Sequence, residues 1–215
     1  MQKCLPLILL MTTTLTYSCA DPAADKPKAT LGNASSQSNF AKPLGTEMLV
    51  ISPENSKVEF VASKVTRSHE GSFKQFSGKI DLVPNIIPDS QVSIDIDSGS
   101  VVADDPELTN HLKTADFFDV AKYPKATFVS TKIEPDNTGA AGQAFKVLGN
   151  LELHGVKKSI AFPATIKVTP ESASVEAEFA INRKDFAIVY AGKADDLIRD
   201  GVVIKLDLKV PRARP

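Results

Sequence analysis

The stretch "SIAFPATIKV", Ser159–Val168, decides the fold class. Ile160, Phe162, Ala164, Ile166 and Val168 share one parity. A period of two marks a strand with one buried face, because successive side chains point to opposite sides of a sheet. The same pattern recurs outward from this segment. Phe145, Val147, Leu151 and Leu153 precede it; Val175, Ala177, Phe179 and Ile181 follow; Val202, Ile204, Leu206, Leu208 and Val210 close the series. Nearer the N-terminus, Val58, Phe60 and Ala62 alternate with Lys57, Glu59 and Val61, and Val92, Ile94 and Ile96 alternate with Ser93, Asp95 and Asp97. With "SFKQFSGKIDLV" and "KATFVSTKI" added, the chain holds about eight strands separated by turn signals such as "PDS", "PDNTG" and "HGVKK". Nothing calls for a parallel crossover. An antiparallel sheet with one apolar face must pack on a second sheet or close on itself, and closure removes the exposed edges, so an all-β antiparallel barrel is predicted.

One segment breaks the alternation. In "DPELTNHLKTADFF", Asp104 or Asp105 caps a short helix, Pro106 occupies its first turn, and Leu108 and Leu112 fall on one face. "KYP" then ends it, since Tyr123 before Pro124 is pushed toward extended backbone. Phe117 and Phe118 are expected to be packing anchors that close the barrel end beneath this helix.

The 215 residues suit one domain with a sizeable core. Twenty-five Lys and Arg against 26 Asp and Glu leave a net charge of −1, too weak a field to gather nucleic acid. Lys3, "LPLILLM" and "TTTLTYS" predict an export signal over residues 1–19, too short to remain as a transmembrane helix. The cysteines are Cys4 and Cys19, so no disulfide staples the body. Two fates of Cys19 stay open. Cleavage after Ala20 discards it and frees the product, whereas cleavage before it, at the lipobox-like "LTYSC", leaves it lipidated and the protein anchored outside the cytoplasm. Residues 20–46, rich in Pro, Ala, Ser and Asn, are expected to form a flexible linker with a coil-like reach on the order of 30 Å. The barrel domain is then expected over residues 47–213.

Candidate chemistry is sparse. His69, His111 and His154 match no compact metal motif, and no G-x-S-x-G elbow presents a serine. The three histidines are expected to serve turns and caps. Asp116 and Asp119, three apart around the paired phenylalanines, are expected to accept backbone N–H groups rather than to act as a catalytic pair. The predicted protein is not an enzyme and carries no cofactor.

The motifs "SKVEF", "GSFKQFSG", "HLKTADFFDVAKYPKATF", "LELHGVKKSI" and "INRKDFAI" occur in an order and spacing that resemble the YceI-like family of exported lipid-binding proteins, over about residues 49–211. Asn55 stands where that family commonly has His, and Ala187 where Gly often follows the Asp-Phe pair. The resemblance implies an extended lipocalin-like barrel whose apolar tunnel holds an isoprenoid, a quinone or a similar long-chain amphiphile. It also implies a homodimer. Parity places Phe60, Phe76, Phe128, Phe145, Phe162 and Phe179 on the tunnel wall; Phe73, three residues before Phe76, points the other way unless the strand bends near Gly71 or Gly78. Arg67, His69, Arg183, Lys184 and Arg199 are head-group candidates at the mouth. Moving about ten methylene-sized units from water into the tunnel gains roughly 8 kcal/mol, but moving them from a bilayer gains almost nothing. Selection at a membrane would therefore rest on tunnel shape and polar groups at the mouth. A second reading is a barrel without lipid that serves as an interaction module for a membrane redox protein or in a stress response.

Overall fold

The computed structural model describes residues 20–34, 43–136 and 143–212. Its elements, in chain order, are β1 (Thr30–Asn33), β2 (Glu47–Ile51), β3 (Ser56–Ser63), β4 (Ser68–Phe73), β5 (Phe76–Leu82), β6 (Gln91–Asp97), β7 (Val101–Ala103) and α1 (Pro106–Leu112). They continue with β8 (Lys125–Pro135), β9 (Ala144–Leu153), β10 (Val156–Val168), β11 (Ser172–Asn182), β12 (Gly192–Lys193), β13 (Asp196–Leu197) and β14 (Gly201–Pro211).

Two of the long strands are broken. β4 and β5 are halves of one strand interrupted at Lys74 and Gln75, and β6 and β7 are halves of its neighbour, interrupted by the 3-10 turn Ser98–Ser100. Across the breaks the register shifts by two, with Phe73 opposite Val101 and Phe76 opposite Ile96, so that two residues on one strand face four on the other. Antiparallel pairing then runs from β3 through β4/β5, β6/β7, β8, β9, β10, β11 and β14, and β14 pairs with β3 again. The sheet thus curls round to meet its own first strand, the closure that a one-faced apolar sheet requires. The strand break also corrects the parity argument for Phe73. The two residues outside the ladder let Phe73 turn inward as well as Phe76, and it packs against Phe60 with ring centroids 5.9 Å apart.

The hairpin between β9 and β10 shows why "HG" is a turn. Leu153 pairs with Val156, and the two residues between them, His154 and Gly155, both have positive φ, 51° and 73°. That conformation matches the right-handed strand twist and suits a two-residue loop. The ring of Tyr123 lies where a side chain at 155 would project. At α1, Asp105 is the cap: its Oδ1 accepts the N–H groups of Glu107 and Leu108 at 2.8 and 3.1 Å, with Pro106 in the first turn.

The segment expected to be a flexible linker is in part a wall strand, which corrects that expectation for residues 20–33. β10 and β11 pair only from Thr165 to Val168 and from Ala173 to Glu176. Above that point they diverge, and residues 27–33 fill the gap. β1 pairs antiparallel with β10, Thr30 opposite Ala161 and Asn33 opposite Lys158. On the other side Pro27 O accepts the Ala180 N–H at 2.8 Å, and the Ala29 N–H donates to Ala180 O at 2.8 Å. Ala23 is buried against Val61, Ala180 and Val203. Composition marks the segment as poor in large apolar residues, but two unpaired sheet edges supply the backbone partners that hold it. Residues 35–42 and Cys19 lie outside the described residues.

Candidate functional site: an apolar chamber in one half of the barrel

The interior is divided. At the end made by β2, β5 and the β10–β11 and β14 termini, Ile51, Ile80, Leu82, Phe145, Ile166, Val175, Leu208 and Val210 pack into a continuous buried cluster. At the other end a cavity of about 170 Å³ remains, lined almost wholly by apolar side chains. Phe60, Phe73, Leu151, Ile181 and Ile204 stand around its wall. The strands that build it are the same ones that build the packed half; what changes along them is whether inward side chains meet across the axis.

The boundary is aromatic. Phe128 of β8, Phe162 of β10 and Phe179 of β11 form a row in which Phe162 and Phe179 stack at 4.1 Å with planes 10° apart, and Phe128 lies tilted 5.6 Å from Phe162. Phe128 reaches Phe162 past the intervening strand β9 because Gly149 leaves room for its ring. All three border the cavity.

The opposite end is capped by two segments. Leu112, at the end of α1, and Phe117 and Phe118, in the turn after it, border the cavity from above. Leu112 and Phe117 are buried in a cluster with Phe60, Val101 and Ile188. The loop from Arg183 to Asp200 supplies Ile188 and Ile198 to the lining. The two segments meet through Tyr190, whose ring sits 5.1 Å from His111 and 5.4 Å from Phe117.

Arg183 holds that loop in place. It is only 4% exposed, and its guanidinium donates to the carbonyls of Arg199 (3.1 Å), Ile188 (2.8 Å) and Ile198 (3.3 Å) and to the Asp200 carboxylate (3.2 Å). Burial draws its pKa down and Asp200 pushes it back up. A guanidinium is charged across the accessible pH range, and its planar fork can serve several carbonyls at once.

Of the residues expected on the tunnel wall, Phe60, Phe128, Phe162 and Phe179 border the cavity. Phe76 and Phe145 do not. Both face inward and are buried, but they belong to the packed half beyond the aromatic row, so parity placed them on the right face and at the wrong depth. The head-group candidates do not converge. Arg67 is exposed, 4.0 Å from Asp105, and His69 Nδ1 is 2.8 Å from Asp104 Oδ1, beside the start of α1. Burial works against the charged form of Asp104, yet the His69 ring and the Glu70 N–H hold its carboxyl below the usual carboxylate range. Lys184 pairs with Asp200 at 3.0 Å, and Arg199 lies 3.8 Å from Asp21. Only Arg183 among the five candidates borders the cavity, and it serves the loop.

The remaining polar residues have local duties. His111 Nε2 lies 2.8 Å from Asp116 Oδ2, on the outside of the cap. His154 Nδ1 lies 3.2 Å from the carbonyl oxygen of Phe186, a ring with no exposed surface. Asp119 adopts φ 44°, and its carbonyl accepts the N–H groups of Lys122 and Tyr123. Among the described residues no cluster of three or more His, Cys, Asp or Glu is arranged to hold a metal.

Sequence reasoning missed the cap residues Ile188, Ile198 and Tyr190. They lie in a loop without periodicity, and only the fold brings residues 183–200 over the same opening as α1. The local signal was "INRKDF", whose Asn182 caps the 3-10 turn Arg183–Phe186 by accepting the Lys184 N–H at 2.9 Å.

Comparison with known proteins agrees with this architecture. A UPF0312 protein of Pseudomonas putida (strain W619) is 35% identical over 124 residues, covering 55% of this chain and 62% of that protein. The protein YceI of Salmonella arizonae is 33% identical with the same coverage. The chain therefore spans somewhat under two thirds of these relatives. Among solved structures, Burkholderia cenocepacia BcnA superposes with a TM-score of 0.66 at 28% identity, covering 74% of this chain and 98% of that one. A polyisoprenoid-binding domain from Saccharophagus degradans shares the fold with a TM-score of 0.62 at 19% identity, over 78% and 99% of the two chains. The model of the YceI-like domain matches residues 49–210, which hold β3 to β13, the caps and nearly all of β14 but not β1, and the chain belongs to the YceI-like domain family.

Proposed function

We propose that this protein binds, without chemical turnover, the apolar part of an isoprenoid-type amphiphile in the chamber between the aromatic row and the cap. The observation that carries this is the contrast within one barrel. One half is packed with side chains, while the other keeps an apolar cavity of about 170 Å³ bordered by Phe60, Phe117 and Phe118. A dry apolar cavity gives up packing contacts that a ligand can restore, and pockets of this character are the usual seats of small apolar ligands. The Saccharophagus degradans domain, named for polyisoprenoid binding, has the same fold, which is consistent with such a ligand. Binding rather than catalysis also suits a lining whose one charged side chain beside Glu59 is already engaged by carbonyls.

The direct test is native mass spectrometry of the protein purified from its own host. A lipid adduct of defined mass is expected. An adduct-free protein that also fails to take up added prenyl alcohols overturns the reading.

We further propose export and anchoring through Cys19. With residues 20–33 lying on the barrel wall, an anchor there holds the wall close to the bilayer, in place of a loose leash. Membrane fractionation of the wild type and Cys19→Ser, with the mass of the mature N-terminus, tests this. A soluble product beginning at Asp21 in both forms would refute it.

A further inference from the structure

We infer that the cap is a bilayer-docking face: the outer side of the Arg183–Asp200 loop and the tip of the β3–β4 turn insert into the interfacial layer of a lipid membrane. The role of that face in ligand uptake rests on the preceding reading that the chamber takes an apolar tail, and it names the surface from which the tail arrives.

The loop is apolar on both sides. Ile188 and Ile198 line the chamber, and their sequence neighbours Val189 and Leu197 are 64% and 49% exposed. The carbonyls of Ile188 and Ile198 share one guanidinium, that of Arg183, so the two outward side chains are held on one patch. Val65, in the β3–β4 turn and 46% exposed, joins the patch through its N–H, which donates to Leu197 O at 3.1 Å. Exposed apolar residues taken singly are ordinary. A loop that is apolar on both sides fits an apolar chamber within and an apolar phase without.

The N-terminal chain enters at the same rim. Asp21 lies 3.8 Å from Arg199, near the end of the loop, and Ala23 packs against Val203 and beside Gly201, at the start of β14. Residues 1–19, with the apolar run "LPLILLM", thus join the domain at the cap end, and an acyl group on Cys19 would sit two residues before Asp21. Met48 and Val50, 63% and 58% exposed, are at the packed end, away from both the chamber and this entry point.

The cap is also where the chamber can open. Among the described residues, the lining side chains that lie outside strands all belong to the two cap segments. Passage between paired strands would break ladder hydrogen bonds, whereas the cap segments meet through side chains, Tyr190 with His111 and Phe117. Charges at the cap are paired, Lys64 with Asp196 at 3.2 Å and Arg183 with Asp200 at 3.2 Å. Attachment therefore comes from insertion of apolar side chains and depends little on salt.

The experiment uses the chain from Ala20, the first described residue, with a histidine tag at that end. A nickel-chelating lipid holds it on vesicles of phosphatidylethanolamine and phosphatidylglycerol, so the result does not depend on whether Cys19 is acylated in the host. This chain has no cysteine, so Val189→Cys, Leu197→Cys and Val50→Cys each take one polarity-sensitive fluorescent label at a defined site. A label at 189 or 197 should shift to the blue and be quenched by nitroxide-labelled lipid, with the label at 50 unchanged. Three labels that behave alike, or quenching at 50 alone, overturn the docking face. The double variant Val189→Asp/Leu197→Asp should then take up a fluorescent prenol from the vesicles several-fold more slowly, while binding the same prenol from detergent solution as the wild type does. Unchanged uptake overturns the role of the face in ligand entry. Failure of every form to bind the prenol overturns the chamber reading and leaves the docking face to be decided by the quenching.

Discussion

The ring of Phe128 rests on the backbone of Gly149, on the strand between it and Phe162. A Cβ at position 149 would collide with that ring and lie 2.6 Å from the Val129 carbonyl oxygen. Glycine is required here for close approach, since no positive φ demands it. Gly149→Ala should therefore lower stability by about 1–3 kcal/mol, the usual cost of overpacking, and displace Phe128 from the aromatic row. Urea unfolding measures the first effect. An unchanged midpoint would show that the ring has an alternative seat.

Arg183→Met removes the donors that serve the carbonyls of Ile188, Ile198 and Arg199. Leaving buried acceptors unpaired, and Asp200 without this partner, should cost about 3 kcal/mol or more. Arg183→Lys should recover little of this, because an ammonium lacks the planar fork. Hydrogen exchange should show the 183–200 loop opening first in both variants; equal protection in all three proteins would refute the role.

Ala187 sits at φ 59°, in the left-handed region, at the end of the 3-10 turn. An L-residue there carries strain of about 1–2 kcal/mol that glycine avoids, partly offset by glycine's greater freedom when unfolded. Ala187→Gly is expected to raise stability by up to about 1 kcal/mol, read as a higher melting temperature. A lower one would mean that the methyl group's packing outweighs the strain.

A form of the chain beginning at Pro43 lacks the strand that fills the gap between β10 and β11. It should melt at a lower temperature and self-associate, because the edges at Ala161 and Ala180 lose their partners. Circular dichroism and light scattering check this, and a monomer with wild-type melting would show the wall complete without residues 20–33.

Glu47 and Arg212 join the first strand of the packed half to the end of β14, through Arg212 Nε to Glu47 Oε2 at 2.8 Å and Nη2 to Oε1 at 2.6 Å. The bidentate hydrogen bond from Arg212 holds the Glu47 carboxyl below the usual carboxylate range. A lowered folded value means that the contribution is complete above the ordinary glutamate pKa of about 4.3 and is lost as pH falls through the lower folded value. The stability difference between wild type and Glu47→Gln should be largest near neutral pH and vanish in acid. A difference independent of pH would place the effect in packing instead.

The alternation in segments such as Ser159–Val168 was sufficient for the fold class, because one buried face with period two can be satisfied only by closure or by a second sheet. Parity likewise put Phe60, Phe128, Phe162 and Phe179 inside. Depth was another matter. Whether an inward ring borders a cavity or a packed core depends on what faces it across the axis, and no single strand contains that information, which is why Phe76 and Phe145 fell in the solid half. The break at Lys74 and Gln75 turned Phe73 inward against its parity, through a backbone interruption that side-chain pattern does not reveal. Residues 20–33 illustrate the largest gap between pattern and structure. Their composition has the marks of a linker, and they become a strand only because β10 and β11 diverge and leave backbone groups to be paired. Local chemistry determined which faces are apolar and where the chain turns; the tertiary structure decided where the cavity ends, because that boundary is made by three rings from three strands meeting in space.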